Sequence, residues 1–145
     1  MFSAYYDARM SERMAETRQF WDRLADMEAV TSSVTRREIL RHPDAVGRAA
    51  LLGLLHTVDV LPVTPAALAL AREYLRAGIF GIHSANDARH VAAAVAVSAP
   101  VLASWNFRHL VNTRRCERIN SLNATLSLPS IRIVTPRDLR EGVDP

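Results

Sequence analysis

Apolar residues recur at helical spacing over 11–26, where Met14, Trp21 and Leu24 or Ala25, with Arg18 between them, form one stripe of an amphipathic helix. The pattern then changes period. A short β-branched run over 28–34 predicts a strand, and Thr35-Arg-Arg-Glu38 opens a helix that closes near His42-Pro43. Asp44 starts a further helix through Leu51, Leu52, Leu54 and Leu55, ending near Thr57. A second strand follows over 59–63, with Pro62 at its edge or end. Thr64-Pro65 pairs an N-cap with proline at the first helical position, and Gly78 is the natural stop of that helix at Ala77. After a loop over 78–83 come a helix over 86–97, a strand over 101–104, a helix over 113–125, a strand over 131–134 and a last helical turn over 136–140.

Strands alternating with helices imply an α/β domain whose mostly parallel sheet carries helices on both faces. The 145 residues make one domain, 1–145, large enough for a real core, without repeats, low-complexity segments or linkers. The single Cys116 excludes an internal disulfide framework and a cysteine cluster for zinc. Apolar runs fall far short of a membrane span, so the expectation is a cytoplasmic protein with no membrane partner. Every one of the 18 basic side chains is arginine, for a net charge of +3. Coding bias towards Arg and Ala explains this; so does phosphate recognition, because guanidinium grips phosphate oxygens in a bidentate fork.

Two acids stand out by position. Glu38 follows the first strand, and Asp87 opens the helix ahead of the third. Thr35-x-x-Glu38 and Ser84-x-x-Asp87 both fit a capping box, so helix capping explains either acid. The alternative is metal chemistry: magnesium and manganese take oxygen ligands, commonly one or two carboxylates plus water. Such a cation orients and deprotonates a water and stabilises charge on a scissile phosphate.

The stretch Asp87-Ala-Arg-His90-Val-Ala, followed by Ser104-Trp105-Asn106-Phe-Arg-His109, resembles the PIN-domain ribonucleases. The likeness is to the toxin-like branch with D-A-x-H-x-A and S-W-N-F-x-H, and it runs from T-R-Q-F-W at Thr17 to T-P-R-D-L ending at Leu139. It implies a three-layer α/β/α fold and a metal-dependent endoribonuclease using Mg2+ or Mn2+ on single-stranded RNA, as the toxin of a toxin–antitoxin pair. An antitoxin protein and a homodimer are the further partners it suggests. Carried over by motif, Glu38 and Asp87 are the metal-binding acids, and Asn106 stands where other members have Asp, as a catalytic group that orients water or phosphate. His90 reads as a neighbour supporting Asp87, or as a helix-packing histidine. Ser104 reads as a hydrogen-bond partner of metal-bound water, or as a strand end, and Trp105 as a packing residue ahead of a base-stacking platform. Arg108, His109, Arg114, Arg115 and Arg118 form the densest basic segment. It is read as an RNA phosphate track or as a solvated helix face.

The chain departs from the family pattern at its start. An opening strand ending in D-T-S or D-T-N, which carries the family's most characteristic aspartate, has no counterpart in Met1-Phe-Ser-Ala-Tyr-Tyr-Asp7. The expectation is therefore a PIN-like domain whose first, central strand is missing, through a downstream start site or through degeneration. Asp7 is a weak substitute, being too close to Thr17 for the intervening helix. Slow or absent cleavage is expected of this chain, and a catalytically impaired module that binds RNA or an antitoxin is the alternative reading.

Overall fold

A computed structural model of the chain describes residues 1–106 and 110–140. Two short 3-10 turns, Phe2–Tyr5 and Ala8–Met10, lead into helix α1, Ser11–Arg23. Strand β1 (Val30–Ser32) runs directly into α2 (Ser33–Leu40), followed by α3 (Ala45–Leu55), β2 (Asp59–Leu61) and α4 (Pro65–Arg76). Then come α5 (Ala85–Ala96), β3 (Val101–Ala103), α6 (Thr113–Thr125), β4 (Arg132–Val134) and α7 (Pro136–Arg140). Mixed α/β character and parallel strand pairing agree with the sequence pattern.

Helix ends follow their local chemistry. Thr64 accepts the amide of Ala67 at 3.1 Å with Pro65 at the first helical position, and Asp44 and Asn112 cap α3 and α6 the same way. Past the end of α4, Gly78 takes φ +63°, a left-handed conformation that glycine enters without a Cβ penalty. The start of α2 departs from the capping-box expectation. Its N-cap is Ser32, without a side-chain cap bond, so Thr35 and Glu38 both lie inside the helix.

The main core is built by α4, α5 and α6 with β3 and β4. Tyr74, Val91, Ile119 and Ile131 are fully buried there. Each such aliphatic side chain contributes about 1.5–3 kcal/mol relative to exposure. A buried polar clamp crosses it: the Tyr74 hydroxyl donates to Asn123 Oδ1 at 2.7 Å, and Asn123 Nδ2 donates to the Pro129 carbonyl at 3.1 Å. A smaller cluster of Ile39, Leu51 and Leu55 joins α2 to α3, with Phe2 against it.

The expected single central sheet is instead two separate pairs, β1–β2 and β3–β4, each parallel. Both lie under one helix, because α5 packs against β1 and against β3. Ladder pairing needs strands about 4.8 Å apart. β1 and β3 are not hydrogen-bonded neighbours, so among the described residues each keeps one edge outside any ladder. Isolated two-stranded sheets are marginal in water, and here the helices supply the stability. At the carboxyl end of β1 the buried Ser32 hydroxyl finds no hydrogen-bond partner among the described residues.

Candidate functional site

The first turn of α5 is the hub of the site. Asn86 and His90 are four residues apart and share a helix face, which meets α2. Asn86 Nδ2 donates to Glu38 Oε1 at 2.9 Å, and His90 Nε2 lies 3.2 Å from Glu38 Oε2. A carboxylate only accepts, so the imidazole carries its proton on Nε2. Arg89 Nη1 donates to Asn86 Oδ1 at 2.7 Å, which turns the amide NH2 of Asn86 towards Glu38. Next along the turn, Asp87 Oδ1 accepts from Asn106 Nδ2 at 3.0 Å, and the Asn106 backbone N–H donates to Ser104 Oγ at 3.0 Å. Residues after β1 and after β3 thus meet at one helix start, the place where α/β folds collect polar chemistry.

The capping explanation fails for Glu38, which bonds side chains of another helix. At the start of α5, Ser84 makes no side-chain cap bond and its amide donates to the Gly81 carbonyl, so the expected capping box is not what engages Asp87. Electrostatics keep Glu38 ionised. Burial pushes its carboxyl up, but the hydrogen bond and charge of His90, the Asn86 amide and the Met1 ammonium together hold it below its ordinary value. Burial in turn pulls the Met1 α-amino group below its ordinary value, against the opposing pull of Glu38.

His90, read from the sequence as a neighbour supporting Asp87 or as a helix-packing histidine, contacts Glu38 instead. Trp105 packs: its indole donates to Thr17 Oγ1 at 2.8 Å and the Arg13 guanidinium lies over the ring at 5.6 Å, which fastens the strand tip to α1. Arg115 Nε donates to the Ile79 carbonyl at 3.1 Å, and Arg118 Nη2 donates to the Ala77 carbonyl at 2.9 Å. Arg114 is exposed, and Arg108 and His109 lie outside the described residues. Sequence reasoning missed Asn86 and Arg89; the i, i+4 spacing of Asn86 and His90 was the available signal.

Two carboxylates, Glu38 and Asp87, stand around this turn, each bonded to its own partners, and a hard divalent cation is held by one or two carboxylates. Among the described residues, no group of three His, Cys, Asp or Glu side chains converges closely enough to hold a metal. None of the described helices is long and apolar enough to cross a membrane. No protein-family model matches the chain, nor does any curated protein or solved structure.

Proposed function

We propose that this chain is a divalent-metal-dependent endoribonuclease of the PIN type, acting on single-stranded RNA as the toxin of a toxin–antitoxin pair. The observation that carries the reading is the joining of Glu38, Asp87, Asn106 and His90 around the first turn of α5. It stands beside the resemblance of the motifs that supply those residues. In this reading Glu38 and Asp87 would hold magnesium or manganese. The ion supplies an activated water and stabilises charge on the phosphate. His90, and Asn86 steadied by Arg89, hold the Glu38 carboxylate ionised and in one orientation. Asn106, placed by Ser104, turns its amide towards Asp87 and positions water or phosphate there. A PIN-like three-layer arrangement and a cytoplasmic location belong to the same proposal.

One observation favours a second reading, a module that binds RNA or an antitoxin without cutting. Among the described residues no three acid, histidine or cysteine side chains converge to hold a metal, and the strands form two separate pairs. Magnesium-dependent cleavage of single-stranded RNA separates the two. The assay uses the chain itself and a form carrying an added N-terminal strand that ends in Asp-Thr-Ser, with Asp87→Asn as control. Magnesium-dependent cleavage by the extended form, lost in Asp87→Asn and slow or absent in the chain itself, is the expected outcome. RNA binding without cleavage by either form would replace the nuclease with the binding module.

A further inference from the structure

Helix α2 carries Arg36 and Arg37 just before Glu38, and Arg41 at its C-cap, all three exposed. Among the described residues, no carboxylate, carbonyl or aromatic ring engages any of these three guanidinium groups. Arg115 and Arg118 differ in this respect, since they donate to the carbonyls of Ile79 and Ala77. The buried Val34 and Ile39 mark the inward side of α2. At about 3.6 residues per turn, Arg37 and Arg41 share the flank that adjoins Glu38, whereas Arg36 lies across the helix. Two cations at i, i+4 repel each other. Glu38, one position from Arg37 and one turn from Arg41, is the obvious counter-charge, but it is committed elsewhere. Asn86 and His90 of α5 contact its two oxygens. The flank therefore holds two uncompensated cations directly beside an acid of the site.

We infer that Arg37 and Arg41 grip the phosphates of an RNA strand on either side of the one held at Glu38. Guanidinium pairs with phosphate oxygens through two parallel N–H bonds, and residues one position and one turn from Glu38 reach the neighbouring phosphates of a strand bound there. The choice of RNA rests on the ribonuclease reading; the uncompensated charge rests on α2 itself. Cations near a helix C-terminus also offset its macrodipole. That role alone concerns stability, and it predicts no effect on RNA and no difference between the two sides of the helix.

The test is fluorescence anisotropy of a labelled single-stranded RNA oligomer with the whole chain in EDTA, across a salt series, with thermal unfolding in parallel. Arg37→Gln and Arg41→Gln should each weaken binding about tenfold. Each should flatten the logarithmic salt slope by about 0.7, and the double variant by about 1.4. Their Tm should stay within about 2 °C of wild type, because the lost dipole contribution and the relieved like-charge pair offset each other. Arg36→Gln removes the same charge from the other side of the helix and should leave the slope alone. Four outcomes would overturn the contact: no RNA binding by wild type, an unchanged slope in the double variant, an equal loss in Arg36→Gln, or an oligoglutamate peptide binding as tightly as RNA. The last would give the flank to an acidic polypeptide. EDTA keeps catalysis out of the readout. RNA binding that follows these two arginines stands even if neither the chain nor its extended form cleaves, and magnesium-dependent cleavage with an unchanged slope removes the arginine contact alone.

Discussion

Replacing Tyr74 with Phe tests the buried clamp that sets α6 against α4. Both Tyr74 and Asn123 are 0% exposed, and the hydroxyl donates to Asn123 Oδ1 at 2.7 Å. Phenylalanine keeps the packing and deletes the donor, leaving a buried carbonyl oxygen without that bond. The cost of such an orphan is about 1–3 kcal/mol, and each kcal/mol lowers Tm by roughly 2–4 °C in a domain of this size. Asn123→Leu should cost more, since it strands the phenol and also the Pro129 carbonyl, which now accepts Asn123 Nδ2 at 3.1 Å. The double variant should cost less than the sum, with a coupling energy of about 1 kcal/mol in a double-mutant cycle of urea unfolding. Alkaline unfolding gives an independent check. Burial pushes the Tyr74 phenol up to about 12. Because the folded value is raised, this stability is intact below the ordinary tyrosine range, near 10, and is lost as pH climbs through the folded value. Tyr74→Phe should lack that loss. A Tyr74→Phe protein within about 0.5 kcal/mol of wild type, or strict additivity in the cycle, would refute the reasoning.

Asn106→Asp sets a second carboxylate against Asp87 in place of an amide donor at 3.0 Å. It should destabilise the protein by about 1–3 kcal/mol in EDTA, with magnesium restoring Tm; a Tm indifferent to magnesium argues against a cation there. Glu38 has its carboxyl held below the ordinary value, so its contribution is present above the usual glutamate range and lost as pH falls through the folded value. Glu38→Gln should therefore lose less stability than wild type over that acid window, read from circular dichroism, and a parallel acid profile would count against the His90 and Asn86 contacts. Thr64→Ala removes the cap on Ala67 and should cost about 1 kcal/mol in chemical denaturation. Gly78→Ala, at φ +63°, should cost about 1–2 kcal/mol although the space around it is open; a neutral result would locate no strain at that turn.

Much of the secondary structure is local and was legible in the chain. The helix α6 has the bounds its pattern predicts, and Thr64-Pro65 with Gly78 brackets α4 through capping and φ preference, which neighbouring residues decide. The identity of Glu38, Asp87 and Asn106 as a polar group could be read from motif resemblance, yet the capping box at Thr35 was equally consistent with the letters. Only the fold chose between them, because β1 passes into α2 two residues early and turns Glu38 towards α5. The same holds for His90, whose acid is Glu38, 52 positions away. Arg115 and Arg118 read as a charged helix face, while their bonds to the carbonyls of Ile79 and Ala77 depend on how α4 ends beside α6. Strand periodicity shows that β1 and β3 exist, but period carries no information about partners. Their division into two pairs follows from long-range hydrogen bonding, which the packing of α5 over both strands decides.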